Sequence, residues 1–448
     1  MKDTPGQTKP ATVAQTPKQA GEASQRKITL SLGSSAVWTQ RMLATLERGI
    51  EGGQWYSLVD KVWNEKHLRM AAGTVIGKDG APGVDGQSCE QLEKHVAETV
   101  AELSRLLQAE RYEPKPVKRV WIEKLGSNEK RPLGIPTVRD RVVQTALTCV
   151  LEPIFERDFA EHSYGFRPGR NAPQAIARVE ALLGQGQVWV VDADLKGYFD
   201  SIPQDKLLAA VGKKVADGRI LRLLEKYLQQ GVLDSARDWQ PTGQGTPQGA
   251  VISPLLANLY LDPLDHLMAG QGRDMIRYAD DFIILCRSRA EAEEAMAGVA
   301  DWVKEAGLVL HPTKTRIVDA SQPGGFDFLG WHFERGWKWP REKSVTRFKE
   351  VLRERTQRTN GQSMLVVISG LNRRLRGWAR YFAGGNGGIY TQLDGWLRMR
   401  LRSILRQRER RKGRGRGWDH NRYPNAYFAE LGLISLKALA QAKRANPT

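Results

Sequence analysis

The sequence predicts an α+β protein: a domain of mixed strands and helices, then an all-helical domain with a cationic surface. Three observations carry that expectation. Short apolar runs that end in or enclose acids, "VWVVDADL" at 188–195 and "IRYADDFIILC" at 276–286, alternate with helical patterns up to about residue 340. Beyond that point apolar residues recur at alternating steps of four and three, with arginines between them. The net charge is +18, from 68 Lys plus Arg against 50 Asp plus Glu, so a polyanion is the expected partner, nucleic acid first.

Taken in order, residues 1–30 read as a disordered tail, because "MKDTPGQTKPATVAQTPKQAGEASQRK" has no aromatic and little apolar surface to offset chain entropy. A helical pattern runs from Trp38 to about Met70, and the loop "GKDGAPGVDG" (77–86) separates it from the helical stretch "CEQLEKHVAETVAELSRLLQ". "KPVKRVWIEKLGSNEKRPLGIP" reads as two strands joined by the turn "GSNEK". A Gly-rich loop, "PTGQGTPQGAVISP" (241–254), leads into an apolar helix, the 276–286 hairpin, an amphipathic helix and "FDFLGWHF". In the helical part, Met364, Ile368, Leu371, Leu375, Trp378 and Phe382 form an inner stripe, with Arg373, Arg374, Arg376 and Arg380 outside. The next helix repeats the design, with Ile389, Leu393, Trp396, Leu397, Leu401 and Ile404 inside and Arg398, Arg400, Arg402 and Arg406 outside.

The three cysteines, Cys89, Cys149 and Cys286, are far apart, so neither a disulfide framework nor a cysteine zinc site is indicated. No apolar run reaches the ~18 residues of a spanning helix, and the expectation is a cytoplasmic, nucleoid-associated protein without a membrane partner. No HExxH or GxxxxGK[ST] motif is present, which disfavours a zinc hydrolase or a P-loop motor.

Asp280 and Asp281 interrupt an apolar strand, where an unpaired charge is costly. They could be an idle hairpin turn, since Asp suits turns. The alternative is that they join Asp194, at the end of "VWVVDADL", in a carboxylate cluster at one sheet edge. Such a cluster suits hard divalent cations, which would keep adjacent acids ionised.

"YADD" at 278–281 resembles the catalytic motif of reverse transcriptases, and "DLKGYFDSI" (194–202) resembles their first metal-binding motif. "RPLGIPTVRDRVVQTAL", "SYGFRPGRNAPQAI", "GTPQGAVISPLLANLYL", "GLVLHPTKT" and "FDFLGWHF" follow in the order of group II intron-encoded reverse transcriptases, the maturases. "LNRRLRGWARYF" resembles the maturase domain that follows the polymerase. The resemblance covers roughly residues 50–435. It implies a right-hand polymerase: an N-terminal helical extension and the start of the fingers over 31–110, fingers and palm over 111–335, and a helical thumb and maturase domain over 340–448.

The resemblance implies two Mg2+ ions on Asp194, Asp280 and Asp281. It places Phe199 beneath the sugar of the incoming dNTP, where its ring would exclude a 2′-hydroxyl. Lys124 and Arg131 match finger residues that hold the triphosphate. Gln248 and Gly249 border the nascent base pair, and Lys314 lies near the site. Asp192 and Asp200 fall outside the matched positions and take structural roles, Asp200 by capping the helix that "IPQDKLL" begins. The implied partners are a group II intron RNA, an RNA template with a DNA primer, dNTPs and a DNA target. RNA would be gripped by Arg373, Arg374, Arg376, Arg380, Arg398, Arg400 and Arg402. Many relatives end in an H-N-H endonuclease domain with cysteine pairs; this sequence shows none, so target-strand cleavage by that route is not expected. Two rival readings are a splicing factor with an idle polymerase core, and a polymerase adopted for defence or repair.

Overall fold

The computed structural model describes residues 30–49, 53–123, 130–234, 239–386, 388–411, 413 and 417–445. The expected tail falls almost wholly outside them, as do most of the "GSNEK" turn and Lys124.

Four antiparallel strands make the central sheet, in the spatial order Asp274–Tyr278, Asp281–Cys286, Trp189–Asp194, Arg316–Asp319. Both faces are covered, which is why its strands read as nearly continuous apolar runs. Val191, Ala193, Phe282, Ile284 and Cys286 join the large core beneath the N-terminal and middle helices. Val190, Ile276, Ile283 and Leu285 face the helix Ala172–Gly184 and the small sheet of Phe326–Phe328, Trp331–Glu334 and Trp337–Pro340. Along this second face the register pairs run Val190 with Leu285, Asp192 with Ile283, and Asp194 with Asp281. One strand pair therefore passes from core to carboxylates within four residues.

The strands Val117–Glu123 and Lys130–Ile135 form the expected antiparallel pair, extended by Val232–Leu233 and Trp239–Gln240. The N-terminal helical pattern divides into Leu32–Val37, Gln40–Arg48, Val59–Trp63 and Glu65–Lys78. The stretch from Cys89 breaks at His95 into Cys89–Lys94 and Val96–Gln108. Ser88 starts it with a reciprocal capping box to Gln91.

A separate core gathers residues from Val345 to Ala440. Helix Met364–Phe382, capped by Ser363, buries Met364, Ile368, Leu371 and Leu375 and exposes Arg373, Arg374, Arg376 and Arg380. The following helix, Ile389–Arg408, differs from expectation. Arg402 points inward at 3 % exposure, donating from Nε to the Tyr423 carbonyl (2.8 Å) and from Nη2 to Asn425 Oδ1 (2.9 Å). Asp394 is likewise buried and accepts from the Leu436 and Lys437 amides at the start of the last helix, Leu436–Ala445. The helical wheel gave this helix a solvent face; the segment after Trp418 folds back and covers the part that carries Asp394 and Arg402.

Candidate active site

The hairpin between Asp274–Tyr278 and Asp281–Cys286 turns at Ala279 and Asp280, and Ala279 takes a left-handed φ of 60°. A fully buried cation holds that turn. Arg277 donates from Nε to both Asp265 oxygens at 2.9 Å, and from Nη1 to Asn258 Oδ1 (2.9 Å) and the Ala279 carbonyl (3.0 Å). Asn258 in turn donates to the Gly165 carbonyl at 2.7 Å. Gly165 passes so closely that a Cβ there would lie 2.3 Å from the Ala279 nitrogen. This explains the glycine of "SYGFRPG": a side chain would displace the turn that carries Asp280. Sequence reasoning missed Arg277, Asp265 and Asn258; the available signal was one arginine inside an apolar strand, a place that demands a partner.

Above this base, Asp194 and Asp281 stand side by side on adjacent strands, and Asp280 sits in the turn itself. Asp281 is exposed to solvent at the sheet edge, yet protein crowds it and Asp280, Asp192 and Asp194 lie near it. Burial first, and then those carboxylates, push its pKa up to about 7. Asp280 is also raised, mainly by burial, with Arg131 and Arg277 among the groups that partly offset the effect. Lys314 reaches Asp194 Oδ2 at 2.8 Å, which brings this residue directly onto the cluster. Asp192 pairs with Arg316 at 3.3 Å.

Among the described residues no three His, Cys, Asp or Glu side chains are close enough to form a ready-made metal cage. The donor set fits magnesium in its usual manner, on one or two carboxylates with substrate phosphates completing the shell. Asp194 and Asp281 are the adjacent pair that could do so; Lys314 offsets only part of the cluster's negative charge.

Phe199 is half-buried, its ring edge-on to Tyr198 at 5.5 Å, and its carbonyl accepts from the Thr246 amide at 2.7 Å. The 246–249 loop is thereby tied to the middle of the 194–202 segment. On its other side the Gln248 carbonyl accepts from the Gly134 amide at 2.6 Å. Gly249 lies close against the strand Lys130–Ile135: with φ at 103°, a Cβ would lie 2.4 Å from the Gly134 oxygen. Between this loop and the fingers strands lies a cavity of about 260 Å³, bordered by Arg119, Gly134, Asp200, Thr246 and Gln248. Arg131 is exposed on the strand Lys130–Ile135.

Asp200 does not cap the next helix. Pro203 occupies that position and no side chain bonds the helix start. Asp200 instead lines the cavity; burial raises its pKa, and Arg119 and Arg131 oppose the rise. Arg402, expected on a free RNA-binding face, is committed to the fold, and Arg400 donates to Thr356 Oγ1 (2.6 Å) and the Thr356 carbonyl (2.8 Å). Arg398 is half-buried on the same helix.

Residues 122–333 match the family model described as reverse transcriptase (RNA-dependent DNA polymerase), and residues 345–424 match the group II intron maturase-specific domain. Protein YkfC of Escherichia coli K12 is 34% identical over 333 residues, covering 65% of this chain and 86% of that protein. Group II intron-encoded protein LtrA of Lactococcus lactis subsp. cremoris is 40% identical over 170 residues, 38% of this chain and 28% of LtrA. Nuclear intron maturase 2, mitochondrial, of Arabidopsis thaliana is 28% identical, over 48% of this chain and 33% of its own length. The matches to LtrA and to the plant maturase thus each span about a third or less of those proteins. Among solved structures, a chain of a partial Cas6-RT-Cas1–Cas2 complex aligns over 56% of this chain and 41% of its own, at 25% identity and a TM-score of 0.35.

Proposed function

The chain belongs to the group II intron-type reverse transcriptases, RNA-directed DNA polymerases joined to a maturase-specific domain, and on that premise we propose how its own residues divide the work. Asp194 and Asp281, with Asp280 beside them, hold two magnesium ions together with the phosphates of the incoming dNTP. Bound there, magnesium supplies activation of the primer 3′-hydroxyl and charge neutralisation of the departing pyrophosphate. Lys314 holds Asp194 in position until substrate arrives. Arg277 fixes the height of the Asp280 turn through the Ala279 carbonyl. Arg131 approaches the triphosphate from the fingers. Phe199 bars a ribose 2′-hydroxyl from the space above its ring, and Gln248, held through its backbone to Gly134, borders the nascent pair.

The template is RNA and the primer DNA. The same protein binds its intron RNA through the exposed arginines Arg373, Arg374, Arg376 and Arg380 and promotes splicing, whose chemistry belongs to the RNA; a DNA target receives the product. No helix among the described residues is long and apolar enough to cross a membrane.

The observation that carries this reading is the register pairing of Asp194 with Asp281 at the open end of a sheet otherwise buried on both faces. Asp280→Ala is expected to abolish magnesium-dependent primer extension while leaving RNA binding and splicing assistance nearly intact. Substantial extension by the purified variant would refute the assignment.

A further inference from the structure

Where the end of helix Glu342–Arg355 meets the middle of helix Ile389–Arg408, the surface opens into a pocket of about 250 Å³. Its lining includes Arg353, Thr356, Arg358, Trp396, Arg400 and Ser403. Positive charge collects on one aromatic ring: the Arg400 guanidinium carbon lies 5.5 Å from the Trp396 centroid, that of Arg353 5.7 Å, and Lys349 Nζ 5.9 Å. The ring offsets a little of the mutual repulsion. Among the described residues the pocket lining holds no carboxylate to do so. Burial first, and then the guanidinium groups of Arg353 and Arg358, pull the Arg400 pKa below its ordinary value, with no acid acting the other way.

The neighbouring end of this domain is built differently. Asp419 takes Arg406 at 2.8 Å and Arg411 at 3.1 Å, and Glu409 takes Arg422 at 2.8 Å. Cations are thus neutralised where the fold alone is at stake. Around Trp396 they are gathered and left with Thr356, Ser403 and an aromatic ring. Arg400 is the fixed member, clamped to Thr356 at the end of its helix, while Arg353 and Arg358 are exposed.

We propose that this pocket is a single-nucleotide site for single-stranded RNA, in which Arg353, Arg358 and Arg400 hold one backbone phosphate and the adjoining base lies against Trp396. Arg353 and Arg358 supply the forked donors a phosphate accepts, Arg400 adds positive charge while its Nε and Nη2 stay on Thr356, and an aromatic ring gives stacking that tolerates any base. The volume sits just below the lower end of the roughly 300–1,000 Å³ of small-ligand pockets, enough for part of one nucleotide and too small for a duplex. The inference rests on the reading of the helical domain as RNA-binding but uses a different surface from the exposed row of Arg373, Arg376 and Arg380.

The test uses the full chain and a single-stranded RNA oligonucleotide, with a blunt RNA duplex in parallel. Arg353→Gln with Arg358→Gln is expected to weaken single-strand binding by about tenfold and to flatten the salt slope by about 0.7 for the lost phosphate, with little change for the duplex. Thermal stability should hold or rise, because like charges are removed, so lost binding would not be lost folding. The Lys pair at both positions should recover part of the affinity. Unchanged single-strand affinity in the Gln pair, with Arg373→Gln/Arg376→Gln/Arg380→Gln weakened, would overturn the pocket and leave the domain's RNA role standing. Unchanged affinity in both variants would overturn the domain reading itself.

Discussion

The carboxylate edge of the central sheet and the Trp396 pocket carry opposite charge but share one construction. At the first, Asp192, Asp194 and Asp280 crowd Asp281, with Lys314 on Asp194 and Arg316 on Asp192. At the second, Arg353 and Arg358 crowd Arg400. Deep inside the same protein charges are handled otherwise: Arg277 is forked onto Asp265 and Arg167 onto Glu156, each pair almost fully buried. Charges required by the fold have protein partners, and the two clusters without sufficient partners lie at openings where a ligand can complete them. The difference separates structural ionisation from functional ionisation.

The largest effect should come from breaking a paired charge. Arg277→Met leaves Asp265 buried and alone, and should cost roughly 3–5 kcal/mol in urea denaturation, with primer extension lost as the turn is released. A loss under about 1 kcal/mol would contradict the division between the two kinds of charge.

Removing an unpaired charge should act in the opposite direction. Asp281 has its folded pKa raised from 3.8 to about 7, so between these values the native state keeps a proton that the unfolded chain has lost. Stability contributed by this group therefore falls as pH rises from about 4 to about 7 and stays low above. In EDTA, Asp281→Asn should flatten that fall and melt higher than wild type at pH 8, while the two converge near pH 4. A variant that melts lower at pH 8 would show that Asp281 already has a cationic partner.

Phe199→Val sharpens the comparison at a site where no charge changes. The ratio of rNTP to dNTP incorporation should rise several-fold with little change in stability, because Phe199 is half-buried. An unchanged ratio with activity retained would make Phe199 a packing residue only.

The hairpin, the strand ending at Asp194 and the paired fingers strands were legible because apolar runs and turn residues repeat at strand spacing, and the ordered motifs supplied the rest. What was hidden depends on contacts between distant segments. The role of Arg277 depends on Asp265 and Asn258, both on the preceding helix Ser253–Gly270. Arg402 followed the outward face of its own helix, but a later segment covers that face and supplies Tyr423 and Asn425. Asp200 had the sequence position of a cap, whereas the chain reaches the helix through Pro203 and leaves the carboxyl facing Arg119 across a cavity. A helical wheel describes one element against water. It has no information about a second layer.

The role proposed for the sheet-edge carboxylates is to keep a net negative charge for magnesium, since Lys314 meets Asp194 and Arg316 meets Asp192 but no salt bridge among the described residues reaches Asp280 or Asp281. It is tested most directly by primer extension on an RNA template across a magnesium titration, comparing wild type with Asp281→Asn and measuring RNA affinity on the same preparations. The account predicts extension that rises with magnesium in wild type and is absent at every concentration in the variant, with RNA affinity equal in both. Extension by Asp281→Asn at a wild-type rate, or equal loss of extension and RNA affinity, would contradict it.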